Sequence, residues 1–225
     1  MKTPLSSSEL EKLFSELIDN ALVLFEAATK LLSTDQKHIA LALSELALEE
    51  VGKSFTCLAY YSVADSIGDW KPFWDEWKAH GKKAHRAFLY EFFSTLRVEL
   101  ENKPDYFLSK RKTIPLEKEV SFYIDFDASS RKIITPKVAI ESKEIIFRVS
   151  SVIGPINAAS EVRGLLKGKS EEYKSAFSDY AMHAMTHDIY QQDALAVLRK
   201  MKKGTKEYDA AIDDIIQLFS VSPSI

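Results

Sequence analysis

Residues 40 to 53 read ALALSELALEEVGK. Alanine, leucine and glutamate are among the strongest helix formers, so the stretch predicts the middle of a long helix. Its pattern restricts the fold. Glu45, Glu49, Gly52, Lys53, Thr56 and Tyr60 recur at spacings of three and four and form one stripe. Leu41, Leu48 and Phe55 flank it on one side, Leu43, Leu46 and Cys57 on the other. A helix with apolar surface on both sides of a polar stripe needs neighbours on both sides. The stripe itself is then half-buried between helices.

Two readings of Glu49, Gly52 and Lys53 stand at this point. Glu49 and Lys53 form an i,i+4 pair in the favourable order, which on a surface contributes only about 0.3–0.5 kcal/mol. In that reading Gly52 is merely tolerated. In the other, its cost of about 1 kcal/mol against alanine marks close approach by another backbone or by a ligand.

The rest of the chain predicts mainly α structure. Ser6, Ser7 or Ser8 can cap a first helix, with Glu9 or Glu11 near the capping-box position, and the helix runs to about Leu32. A second helix covers about Gln36 to Ala64. The short link between them predicts an antiparallel hairpin. A third helix is expected from about Pro72 to about Leu100, with Phe73, Trp77, Ala84 and Phe88 as its apolar stripe. His80 lies on that stripe and is expected to point into the bundle. It is either a satisfied core histidine or a member of an interior polar cluster with Glu45, Glu49 and Lys53.

Residues 102–118 read as a loop with a basic run, Lys110, Arg111 and Lys112. Val120, Phe122, Ile124 and Phe126 then alternate with polar residues, and Lys132 to Thr135 form a return strand, so a small β-hairpin over about 120–135 is expected. A helix from about Lys137 to Leu166 is expected to kink or split at Ile153-Gly154-Pro155. C-terminal helices over about 170–220 complete a single domain of residues 1–225. Seven Gly and seven Pro in 225 residues suit long helices.

Charge and cysteine usage narrow the function classes. The net charge of −3 makes no global case for nucleic acid. Lys71 to Lys112 nevertheless holds ten Lys or Arg against six Asp or Glu, a mildly basic stretch that could meet a phosphate backbone. Cys57 is the only cysteine, which excludes an internal disulfide and a cysteine-based zinc site. No signal peptide or membrane span is read from the sequence, and a cytoplasmic setting is expected. His183 and His187 are four apart, a spacing that could ligate a metal. No HExxH glutamate accompanies them, and a surface or capping role is expected. No nucleophile elbow, P-loop or dinucleotide turn occurs. No metal or cofactor is expected.

Three pieces together carry a resemblance: ALALSELALEEVGK at 40–53, the W-x-x-H-x-x-K segment of Trp77, His80 and Lys83, and FYIDFDASSRKIITP at 122–136. Together they resemble the AbiV family of bacterial abortive-infection proteins, within the HEPN superfamily of helical bundles. The likeness covers roughly residues 8–165. It implies a HEPN-like bundle of long antiparallel helices, a role in phage defence, and dimerisation. Carried over residue by residue, it implies a functional cluster of Glu49, Lys53, His80 and Lys83.

Many HEPN proteins are metal-independent ribonucleases with an R-x(4–6)-H motif at a dimer cleft. There a histidine moves the proton of a ribose 2′-OH and a cation stabilises the phosphate. Here no arginine precedes a histidine at that spacing. The resemblance therefore leaves two expectations. One is an effector acting on RNA or translation through His80, Lys53, Lys83 and Glu49. The other is a non-catalytic module binding a phage-encoded or host protein, with Trp70–Trp77 and the hairpin as contact surfaces.

Overall fold

Helix α1 (Ser7–Leu31) starts at a complete capping box. The Ser6 hydroxyl accepts from the Glu9 N–H at 3.3 Å, and the Glu9 carboxylate accepts from the Ser6 N–H at 2.8 Å. This first element belongs to a computed structural model that describes residues 3–94, 125–127, 131–134, 142–187 and 203–220. A turn at 32–36 leads into α2 (Lys37–Tyr60), which ends in a short 3-10 turn at Tyr61–Val63. The two helices pack as the expected antiparallel hairpin.

Seventeen of the 24 residues of α2 are buried, which makes it the central helix. It touches α1, α3 (Lys71–Lys78), α4 (His80–Ser94), α5 (Ser142–Ser151), α6 (Ile153–Leu166) and α7 (Glu171–His187). The final helix, α8 (Lys206–Ser220), lies against α7 and α4. Leu10, Phe14, Ile18, Leu48, Val51, Phe55 and Ile156 belong to the main core. A smaller cluster joins Ala28, Ala40, Leu41, Ile145 and Val149.

A helix enclosed on all sides must satisfy its own hydroxyls. Ser44 and Ser54 each donate to the carbonyl three residues back, Leu41 and Val51, at 2.7 Å, and Thr56 donates to the Gly52 carbonyl at 3.2 Å. At its C-terminal end, α2 is tied to α7 through Ser178, a buried serine. The Ser62 N–H donates to Ser178 Oγ at 2.7 Å, and that hydroxyl donates to the Ala59 carbonyl at 3.1 Å.

The expected third helix is two helices. Ala79 is extended, with φ −83 and ψ 99, and ends α3. Its carbonyl accepts the first hydrogen bond of α4, from the Lys83 N–H at 3.1 Å. The reason lies in what each half packs against. Phe73 sits fully buried among Tyr60, Trp70, Trp74 and Trp77, with ring centroids 5.0–5.5 Å away. In α4 the buried residues are instead centred on Lys83, Ala84, Ala87 and Tyr90; the Lys83 backbone lies against Gly52, and Tyr90 packs edge-on against Phe55 at 4.8 Å. One straight helix cannot serve both surfaces, and Gly81 lowers helix propensity at the junction. The expected continuation to Leu100, the loop at 102–118 and its basic run lie outside the described residues.

The split near Pro155 is found at Val152, between α5 and α6. Pro155 falls in the first turn of α6, where its missing N–H costs nothing. Gly168 ends the link after α6 with φ 72, a left-handed value that favours glycine. Asp125–Asp127 pairs antiparallel with Lys132–Ile134, Phe126 opposite Ile133. Of the hairpin expected over about 120–135, this short pairing is the part that falls among the described residues. The remainder of that segment lies outside the described residues, as does the part of the penultimate helix expected beyond His187. Among the described residues, no helix is long and apolar enough to cross a membrane.

Candidate functional site

The polar stripe of α2 faces α4. Glu45 and Glu49 are buried on it, and one turn further on Gly52 removes the side chain that would hold α4 away. A β-carbon on Gly52 would lie 1.8 Å from the Lys83 carbonyl oxygen. Of the two readings of this glycine, close approach by another backbone is the one found.

That approach delivers α4 side chains to Glu49. Lys83 Nζ lies 3.0 Å from Glu49 Oε2, and both side chains are 5% exposed. His80 Nδ1 lies 2.8 Å from each oxygen of the same carboxylate. A carboxylate only accepts, so Nδ1 is the donor in this contact. His80 occupies the first turn of α4 and its side chain is 52% exposed. The expectation that it points into the bundle is therefore corrected. The break at Ala79 leaves the ring half-exposed at the rim of the interface, with Nδ1 on the buried Glu49 carboxylate.

Lys53, the fourth candidate, is oriented differently. Its ammonium pairs with Glu50, and it lies 5.4 Å from the centre of the Trp77 ring. The expected Glu49–Lys53 pair gives way to Glu49–Lys83 and Glu50–Lys53. The structure thus brings Glu49, His80 and Lys83 into direct contact and places Lys53 one turn along α2, against Trp77.

A second charge knot lies on a neighbouring face of the same turn of α4. Lys82 Nζ donates to Glu76 Oε1 at 2.7 Å, and Arg86 Nε lies 3.6 Å from Glu76 Oε2. His80, Lys82, Lys83 and Arg86 are thereby shared between two carboxylates. Glu49 takes His80 and Lys83, and Glu76 takes Lys82 and Arg86. Helical spacing does not find this second knot, because Glu76 and Lys82 are six apart across the break. The only sequence signal was the basic surplus itself.

Trp70, expected on a contact surface, is buried against Tyr60 and Phe73. The Trp74 indole N–H donates to the Thr3 carbonyl at 2.9 Å. This region is an aromatic anchor for α3, with Trp70 and Phe73 buried and Trp74 and Trp77 part-exposed. His183 is half-buried on α7. Among the described residues, no three His, Cys, Asp or Glu side chains converge as a metal site would require.

Comparison with known proteins reports on this same region. No curated protein and no solved structure matches the chain. A family match does: HEPN_AbiV, described as AbiV, covers residues 9–152. That span runs from α1 through α5 and contains Glu49, Lys53, His80 and Lys83, whereas His183 and His187 fall beyond it. Covering well over half of the chain and enclosing the whole α2–α4 interface, the match shows that this protein belongs to the AbiV family of HEPN abortive-infection proteins.

Proposed function

We propose that the chain is an abortive-infection effector of phage defence that acts on RNA or translation, with the Glu49–His80 pair as its working centre. The observation that carries this is the contact itself. A buried carboxylate holds Nδ1 of a half-exposed imidazole. That arrangement suits general-base catalysis, because the carboxylate sets the tautomer and stabilises the imidazolium that forms. Lys83 balances the charge of Glu49 within the protein.

For an RNA substrate the step is internal transesterification. His80 Nε2 takes the proton of a ribose 2′-OH, and that oxygen forms a bond to the adjacent phosphorus. The bond to the 5′-oxygen breaks, and water protonates the leaving group. The products are a 2′,3′-cyclic phosphate and a 5′-hydroxyl, with no metal required. Lys53, beside Trp77 at the same interface, is the cation placed to meet the phosphate charge. In this reading a carboxylate–histidine pair with a lysine would do the work of the arginine and histidine of the superfamily motif.

The test is RNA cleavage by the purified full chain, with and without EDTA, beside phage plaquing. Wild-type cleavage that persists in EDTA and falls about 100-fold or more in His80→Ala is the expected result. Protection that survives in His80→Ala at normal soluble abundance would remove the site.

A second reading, action through protein contact, rests on a different observation. Ile146, Phe147 and Ile153 are exposed apolar side chains on α5 and α6, Phe147 at 62%. Such a patch suits a second copy of the chain. Sedimentation of wild type beside Phe147→Glu tests it: a concentration-dependent dimer lost in the variant supports the contact, and an unchanged monomer rejects it.

A further inference from the structure

A cleft of about 590 Å³ lies between α1, the end of α2, and α6–α7. This is the size range of small-molecule sites. Its floor is apolar, formed by Leu10, Phe14, Leu58 and Leu166, all buried in the main core. Its rim is charged, with Arg163, Lys167 and Lys174 beside Glu11 and Asp19. It shares no lining residue with the Glu49–His80 interface, and part of its wall, residues 160–174, lies beyond the family match.

The rim charges are arranged unequally. Arg163 pairs with Asp19 and also donates to the Ser15 carbonyl at 3.4 Å. Lys174 donates to Glu11 at 2.9 Å. In both pairs the cation is the more buried partner: Arg163 is 28% exposed against 63% for Asp19, and Lys174 is 12% against 44% for Glu11. The cations are held in the wall and the carboxylates reach in from solvent. Exposed carboxylates in such pairs contribute little and are exchangeable. An incoming anion can take their place while the cations stay in position. Ser160 adds a polar group, since its buried hydroxyl lines the cleft and has no hydrogen-bond partner among the described residues.

We propose that this cleft binds a small organic anion, with an aromatic or similarly flat apolar body on the Leu10–Phe14–Leu58 floor and a phosphate-type head between Arg163 and Lys174. The floor selects the body and the two cations select the head, so neither part alone suffices. Arg163 meets the head through its planar fork, and Lys174 meets it as a point charge. The cleft is a second site, independent of whether the Glu49–His80 pair is catalytic.

The probe is phenyl phosphate, titrated into the full chain by calorimetry and by thermal melting, with inorganic phosphate as the headgroup control. A saturable Kd on the order of 0.1–1 mM is expected for a ligand of this size, with inorganic phosphate at least about tenfold weaker. The double variant Arg163→Gln, Lys174→Gln should weaken binding at least about tenfold. Gly164→Phe provides the check that touches no ion pair. Gly164 lines the cleft on α6, and a β-carbon there meets open space. It should block binding while leaving the melting temperature unchanged or higher. Absence of saturation in the wild type, equal affinity for inorganic phosphate, or an undiminished affinity in Gly164→Phe would each overturn the proposal.

Discussion

The carbonyl oxygen of Lys83 occupies the place where a side chain on residue 52 would begin, 1.8 Å from the ideal β-carbon position of Gly52. The obstacle is backbone, which cannot swing aside as a flexible side chain can. Gly52→Ala is therefore expected to push α4 off α2. Overpacking of this kind costs about 1–3 kcal/mol, and a helix-propensity gain of about 1 kcal/mol offsets only part of it. Urea unfolding should show a lower midpoint. An equal or higher midpoint would mean that the two helices are not in this register.

Glu49, Lys83 and His80 separate stability from function. Glu49 and Lys83 are both buried, so removing one leaves an uncompensated charge inside. Lys83→Met alone should cost about 3–5 kcal/mol, and much of that should return in Lys83→Met with Glu49→Leu. His80 is half-exposed, and His80→Ala should cost about 1 kcal/mol or less. Denaturant unfolding of the four proteins checks the order. A large loss in His80→Ala would make the histidine a structural element.

Ser178 joins two helices through two hydrogen bonds. Ser178→Ala removes the acceptor for the Ser62 N–H and the donor to the Ala59 carbonyl. Leaving such buried groups unsatisfied costs about 1–3 kcal/mol. Hydrogen exchange should also show faster opening at the end of α2 and the following turn. An unchanged exchange pattern would show that the contact ties nothing down.

Alkaline pH should unfold the protein before neutral or mildly acidic pH does. Burial pushes the Cys57 thiol up, opposed weakly by Lys53, and burial likewise raises the hydroxyls of Tyr61, Tyr90, Tyr173 and Tyr180, with Tyr208 raised to about 12. The fold holds these protons more tightly than the unfolded chain, whose values are near 9.0 and 10.0. Their contribution is therefore complete below pH 9.0 and is lost as pH rises through the unfolded values toward the folded ones. The urea midpoint should fall steadily above that point. In the same samples, Cys57 should resist a thiol reagent at pH 8 until denaturant is added.

Much of the helical order was legible before any coordinates. The α1–α2 hairpin follows from caps and 3.6-residue periodicity, and Gly52 was readable as a possible contact point because glycine is costly inside a helix. What periodicity could not show was the break at Ala79. No proline marks it, alanine is the best helix former, and the local signal that exists, Gly81, costs only about 1 kcal/mol in a helix interior. Tertiary packing decides instead, because Phe73 and Lys83 must face different surfaces. The error propagated, since a continuous helix put His80 inside and hid the pairing of Glu76 with Lys82 and Arg86. The partners of Glu49 and Lys53 were equally out of reach, since sequence spacing ranks neighbours along a helix but not across an interface. The anion cleft has no sequence signature, because its walls come from residues as distant as Leu10 and Lys174.

The enclosure of α2 also sets an order of events during synthesis. The helix is complete as a stretch of chain by Tyr60, but α5, α6 and α7, which close over it, come from residues 142–187. Until those residues have left the ribosome, Ala59 and its neighbours lack their covering and the Ser62 N–H lacks Ser178. The end of α2 therefore becomes stably held only once most of the polypeptide has been made, and a prematurely terminated chain would carry the central helix without the elements that enclose it.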